Sequence, residues 1–242
     1  MLYGTAPVPG ALPKGVYAVA DGAVGSGLLE LVAAFVRGGA VVVQLRAKAS
    51  GLRLQASGLR TGELLEVARE ARKICRGALL FINDRPEVAR LCGADGVHLG
   101  QEDLPLAEAR AIVGPGMIIG VSTHSDAEID AAQGADYLGF GPIFATQSKP
   151  GAALPPPHGI EGLRRAVQRS RVPVVAIGGI TAANAAEVAA TGAHCAAAIA
   201  ELCRAPDPEQ ATRRLAAAFT SGFRPEARGL KPEASAAPKG AP

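Results

Sequence analysis

Short apolar runs rich in β-branched residues recur along the chain, and a stretch with helical spacing of its apolar residues follows each one. That alternation is the mark of repeated βα units around a parallel sheet, because strands buried on both faces need helices to cover them. The candidate strands are VYAVA from Val16, AVVVQL from Ala40, ALLFI from Ala78, DGVHL from Asp95, MIIGV from Met117, DYLGF from Asp136, VPVVAI from Val172 and HCAAAI from His194. Helical segments between them include GLLELVAAFVRGG, ELLEVAREARKIC, IEGLRRAVQ and PEQATRRLAAAF. Gly39, Gly93, Gly134 and Gly192 stand where left-handed helix ends are wanted. Eight evenly spaced units predict a closed parallel (β/α)8 TIM barrel of the α/β class rather than an open doubly wound sheet, which alternates in the same way. HCAAAI is the weakest strand, since small side chains replace the branched ones that usually fill a barrel interior.

The chain has 242 residues, 48% of them hydrophobic, which suits one large core and matches the roughly 250 residues typical of this barrel. Residues 1–14 read as an N-terminal extension, 15–221 as the barrel and catalytic domain, and 222–242, rich in Pro, Ala, Gly and charge, as a disordered tail. The net charge is only +3, with Lys and Arg scattered among acids, which argues against a nucleic-acid partner. Gly and Pro interrupt every apolar run before membrane-spanning length, and no secretory leader is legible, so the expected setting is cytoplasmic, away from membranes. The four cysteines lie far apart without a C-x-x-C pair and read as reduced, mostly buried thiols.

In a parallel barrel the loops after the strands form the active face, so polar residues just beyond each apolar run carry the chemistry. After the second strand, alternation turns Gln44, Arg46 and Lys48 to one side of an extended segment. Asn83 and Asp84 follow the third strand, and Glu102 and Asp103 follow the fourth. Mg2+ prefers oxygen ligands and is commonly held by one or two carboxylates plus substrate phosphates, so Asp84 and Asp103 are suited to a metal-diphosphate site. Each sits near a proline, Pro86 or Pro105, so capping of the next helix is the competing role. Ser125 or Asp126 can cap the helix after the fifth strand, which leaves Ser122 unexplained by capping. The sixth strand runs into Gly141 to Lys149, a Gly/Pro-bounded loop with two hydroxyls and an ammonium, followed by a proline-rich cover. Gly178 and Gly179 close the seventh strand where backbone amides can approach a phosphate. His98 and His158 read as structural, hydrogen-bonded histidines, and Phe140 and Phe144 as packing residues.

The phrases QLRAK, INDR, GADGVHLGQEDLP, GVSTHS, ADYLGFGPIFATQSK and PVVAIGGIT, in this order over about residues 40 to 181, resemble the thiamine phosphate synthase family. The resemblance implies condensation of a hydroxymethylpyrimidine diphosphate with a thiazole phosphate, giving thiamine phosphate and pyrophosphate. It further implies substrate contacts from Gln44, Leu45, Arg46, Ala47, Lys48, Asn83, Ser122, Gln147 and Lys149, with Arg46, Lys48, Ser122 and Lys149 assisting the reaction. Mg2+ would be held by Asp84 and Asp103, and the thiazole phosphate by Thr146, Ser148, Gly179 and the backbone at Ile199 and Ala200. Three positions depart from the family pattern: Ala47 replaces a frequent Glu, Ala200 a common Ser, and GAHC a usual GADG. Rival readings are the thiazole tautomerase branch of the same barrel, with His124 moving a proton, and a non-catalytic barrel that binds a phosphate ligand. The tautomerase needs neither the acids nor the diphosphate-binding cations. The sequence is compatible with a homo-oligomer and does not define one.

Overall fold

The computed structural model describes residues 12–21, 26–47, 59–146 and 155–223. The strands and helices alternate in the order β1 (Gly15–Asp21), α1 (Ser26–Arg37), β2 (Val42–Arg46), α2 (Thr61–Ile74), β3 (Leu79–Asn83), α3 (Pro86–Cys92), β4 (Gly96–Leu99) and α4 (Leu106–Val113). They continue as β5 (Ile118–Thr123), α5 (Asp126–Ala131), β6 (Tyr137–Phe140), α6 (Gly159–Arg169), β7 (Val174–Ile177), α7 (Ala185–Ala190), β8 (Cys195–Ala198), α8 (Ala200–Cys203) and α9 (Pro208–Ser221). Every strand pairs in parallel with its sequence neighbours, and β1 pairs with β8, so the sheet closes into the barrel that the eight apolar runs predict. The four helix-end glycines have φ between 67 and 92, the left-handed region they were read to occupy.

Strand alternation sorts the apolar residues into two cores. Val16, Ala18, Val43, Leu45, Leu80, Ile82, Val97 and Ile119 face the helices, where they meet Phe35, Val88, Leu163, Leu215 and Phe219. Tyr17, Val19, Val42, Leu79, Phe81, Ile118, Tyr137, Val175, Cys195 and Ala197 fill the lumen. Tyr17, Phe81 and Tyr137 pack with ring centroids 5.8 to 6.0 Å apart. Glycines make room for these rings: a Cβ on Gly96 would lie 2.6 Å from Phe81, and one on Gly120 1.9 Å from Tyr137. The small residues of β8 have the same explanation, since Ala197 is the register partner of Tyr17 and a branched side chain there would compete with the phenol ring.

Neither Asp84 nor Asp103 takes the competing role of helix cap. α3 starts at Pro86 behind Arg85 and α4 at Leu106 behind Pro105, both without a side-chain cap bond. The short helix α8 lies in a stretch read only as backbone at Ile199 and Ala200. Ser125 does cap α5, accepting from the Glu128 amide at 3.2 Å. Cys75, Cys92 and Cys195 are buried and Cys203 half-buried, all with free thiols. Burial pushes the Cys75 and Cys195 thiols up to about 12.

Candidate active site

Six strands send their inward-facing polar residues to one end of the lumen, where they line a cavity of about 320 Å3. Gln44 and Arg46 come from β2, Asn83 from β3, His98 from β4 and Ser122 from β5, with Tyr17 and Tyr137 below. Gln44 and Arg46 face the lumen because they lie two residues apart on one strand. Leu45 and Ala47 pack against the outer core, so only their backbone is left for a ligand. Lys48, the third cation of that segment, lies outside the described residues, as do Gln147, Ser148 and Lys149.

Arg46 is held by Asp21, its register partner at the end of β1. The Asp21 side chain is 6% exposed and that of Arg46 14%, and Asp21 Oδ1 is buried with no hydrogen-bond partner among the described residues. Asp21, a polar residue directly after the first apolar run, carries the same sequence signal as the residues after the later strands. The floor of the cavity is a single file of hydrogen bonds. Gln44 Nε2 donates to Asn83 Oδ1, and Tyr17 donates to Gln44 Oε1 at 2.7 Å. The Tyr17 and Tyr137 hydroxyls lie 2.9 Å apart, His98 Nδ1 lies 2.8 Å from Tyr137 Oη, and His98 Nε2 lies 2.9 Å from Ser122 Oγ. Burial raises the pKa of both phenols well above the ordinary tyrosine value, so they remain protonated. Gln44, Asn83 and Ser122 are expected here from the sequence, whereas Tyr17 and Tyr137 enter the site only with the structure. The available signal was that a tyrosine on a lumen-facing strand position needs a partner for its hydroxyl.

On the opposite wall the loops after β6 and β7 are tied together. The Ile143 amide donates to Ile177 O and the Phe144 amide to Gly178 O, both at 2.9 Å. Gly179 has φ 65, and a Cβ there would lie 2.6 Å from Ala145 O, so only glycine allows this approach. Asn184 braces the turn, donating to Gly179 O at 3.0 Å and accepting from the Thr181 amide at 2.9 Å. Thr146, Gly179, Ile199 and Ala200 line this corner of the same cavity, joined by Glu201, a carboxylate the sequence reading did not anticipate. At the rim, His124 Nδ1 lies 3.0 Å from Glu128 Oε2. His158 sits away from the lining, against Phe140 with ring centroids 4.6 Å apart and the planes tilted by 34°.

The two acids expected to hold metal are not among the lining residues. Asp84 directly follows Asn83 in a left-handed backbone conformation, φ 60, with its amide donating to His98 O at 2.8 Å. Asp103 accepts from the Gly100 amide at 2.7 Å. Among the described residues no three His, Cys, Asp or Glu side chains gather as a metal cluster. By residue type alone Asp84 and Asp103 suit Mg2+, which is commonly bound through one or two carboxylates and completed by substrate phosphates rather than by an all-protein cage.

A family model described as thiamine monophosphate synthase matches residues 16–202. A thiamine-phosphate synthase of Anaeromyxobacter dehalogenans is 43% identical over 203 residues, covering 82% of this chain and 85% of its own. The chain belongs to the thiamine monophosphate synthase family. A second member of the family, the thiamine-phosphate synthase of Myxococcus xanthus, is 42% identical, covering 87% of this chain and 94% of its own. A solved thiamine phosphate pyrophosphorylase from Pyrococcus furiosus superposes with a TM-score of 0.74 at 36% identity, over 88% of this chain and 98% of its own. No helix among the described residues of this family member is long and apolar enough to cross a membrane.

Proposed function

We propose that this chain is a thiamine-phosphate synthase, a transferase that joins 4-amino-2-methyl-5-hydroxymethylpyrimidine diphosphate to thiazole phosphate and releases pyrophosphate. The observation that carries the reading is the convergence on one cavity of Gln44, Arg46, Asn83 and Ser122 from one side and Thr146, Gly179, Ile199 and Ala200 from the other. Two anionic substrates need such a two-sided mouth. Gln44, Asn83 and Ser122 hold the pyrimidine, while Arg46, Lys48 and Lys149 take the diphosphate, with Leu45, Ala47 and Gln147 contributing backbone or contact. Thr146, Ser148, the Gly179 amide and the backbone at Ile199 and Ala200 take the thiazole phosphate.

The chemistry needs no general base. The carbon-oxygen bond to the diphosphate breaks with its electron pair leaving on oxygen, and the thiazole nitrogen supplies its free lone pair to form the new carbon-nitrogen bond. No proton changes hands at the nitrogen. The aminopyrimidine delocalises the positive charge that develops on its methylene, which favours departure ahead of attack. Cations fixed in advance around the leaving group stabilise the charge that builds there. Mg2+, held by Asp84 and Asp103, would supply further charge neutralisation at that anion. The barrel mouth orients the two partners and keeps water from the cation.

Incubating the purified protein with both substrates and Mg2+ tests this, with pyrophosphate and thiamine phosphate expected in equal amounts. Binding without turnover would indicate a sensor, and consumption of thiazole phosphate alone a tautomerase. Asp84→Ala and Lys149→Ala are each expected to lower turnover by about 100-fold or more while circular dichroism stays unchanged, the scale seen when one preorganised charge-stabilising group is removed. Near-normal rates in either variant would overturn the site assignment.

A further inference from the structure

We propose that His98 and Tyr137 are positioning residues that carry the hydrogen-bond polarity of the cavity floor to Ser122, so that Ser122 offers an acceptor, beside the donor of Asn83, to the heterocycle between them. This deepens, and rests on, the reading of the cavity as an aminopyrimidine diphosphate site.

Every proton along the file is determined once one amide is oriented. Gln44 Nε2 donates to Asn83 Oδ1, which leaves Gln44 Oε1 facing Tyr17, and a carbonyl oxygen can only accept. Tyr17 therefore spends its single proton on Gln44, and its oxygen accepts from Tyr137 at 2.9 Å. Tyr137 has then spent its own proton, so its oxygen accepts from His98 Nδ1–H at 2.8 Å. A neutral imidazole protonated at Nδ1 carries a lone pair at Nε2, and that lone pair takes the Ser122 proton at 2.9 Å. Ser122 Oγ is left with only lone pairs for the cavity. Asn83, whose oxygen is used by Gln44, is left with its amide N–H groups.

An aminopyrimidine edge is the complement of this arrangement, with an exocyclic N–H donor beside a ring-nitrogen acceptor. Its 4-oxo analogue inverts both groups and meets lone pair with lone pair and N–H with N–H. A site that leaves buried polar groups facing like groups rejects the wrong ligand more strongly than one that merely lacks a contact. The polarity of the floor, set at Gln44 and relayed to Ser122 through Tyr17, Tyr137 and His98, thus acts as a selectivity device.

The tautomer of His98 is the direct readout. Long-range 1H–15N correlation spectra of the labelled protein are expected to place the His98 ring proton on Nδ1, facing Tyr137, the signals being identified by their loss in His98→Asn. A proton on Nε2 overturns the proposal. Tyr137→Phe removes the acceptor for Nδ1–H and frees the ring to turn its proton toward Ser122. That variant is expected to narrow the kcat/KM preference for 4-amino over 4-oxo pyrimidine diphosphate by about tenfold or more, the scale of one mismatched buried hydrogen bond, with the KM for thiazole phosphate unchanged. An undiminished preference also overturns it. If Tyr137→Phe fails to fold, the wild-type tautomer decides alone. Failure of the wild-type protein to turn over the two substrates would refute the proposed function instead, and the tautomer is measured independently of that.

Discussion

Asp21 and Arg46 form the pair on which the diphosphate side of the cavity depends, since adjacent strand ends put them in register and both are largely buried. Removing one partner of such a pair costs more than the pair itself contributes, because the remaining charge stays desolvated. Arg46 opens onto the cavity, which softens that cost. Asp21→Ala is expected to lose about 2 kcal/mol by urea titration and to raise the KM for the pyrimidine diphosphate. A loss below about 0.5 kcal/mol would class the pair with ordinary surface contacts. Two other residues make stability depend on pH. Burial lowers the pKa of His194, which donates from Nε2 to the Leu12 carbonyl, and burial with nearby His124 and Arg165 lowers that of His158. A histidine kept neutral in the fold gains its proton first in the unfolded chain, at about pH 6.5, so its contribution is full above that pH and is lost as pH falls through the lowered folded value. Thermal unfolding is expected to shift to lower temperature as pH falls below about 6.5, and a midpoint that stays constant on acidification would refute the assignment.

Among the elements, β5 shows how tightly side-chain size is set across the lumen. Gly120→Ala would place a methyl group 1.9 Å from Tyr137 Cζ, so the ring must move and with it the bond to His98. Overpacking of this kind typically costs about 1–3 kcal/mol. The expected outcome is a lower midpoint in thermal denaturation together with a higher KM for the pyrimidine diphosphate, and an unaltered melting curve would show that the lumen has slack. The strands themselves were legible from apolar runs because period and burial coincide there, and Ser125 was legible as a cap. Capping, the competing role for Asp84 and Asp103, does not occur, because a proline nearby marks a helix start without saying which residue stands at its cap. Asp103 turns back to Gly100 instead. The role of α8 escaped notice because a helix of four residues carries too little periodicity to register.

The barrel as a whole is closed by its two ends. β1 pairs with β8, and α9 lies over that seam, burying Leu215 and Phe219 completely. The fit is close: a Cβ on Gly38, just after α1, would come within 2.5 Å of Thr212 Cβ on α9. Ending the chain at Asp207 is therefore expected to abolish cooperative unfolding in a calorimeter, because the outer core loses its cover over β1. A sharp transition in that truncated form would show that closure does not need α9. What the amino-acid order determined by itself was periodicity: which segments are strands, that eight of them make a closed parallel sheet, and that Gln44 and Arg46 share one side of the second. Local sterics and burial impose those patterns on neighbouring residues, so they can be read without coordinates. Only the tertiary structure decided that Tyr17, Tyr137 and His98 thread a hydrogen-bond file between Asn83 and Ser122, and that Asp21 holds Arg46. Those partners lie tens of residues apart in the chain, and the closure of the barrel is what brings their polar atoms within reach of one another.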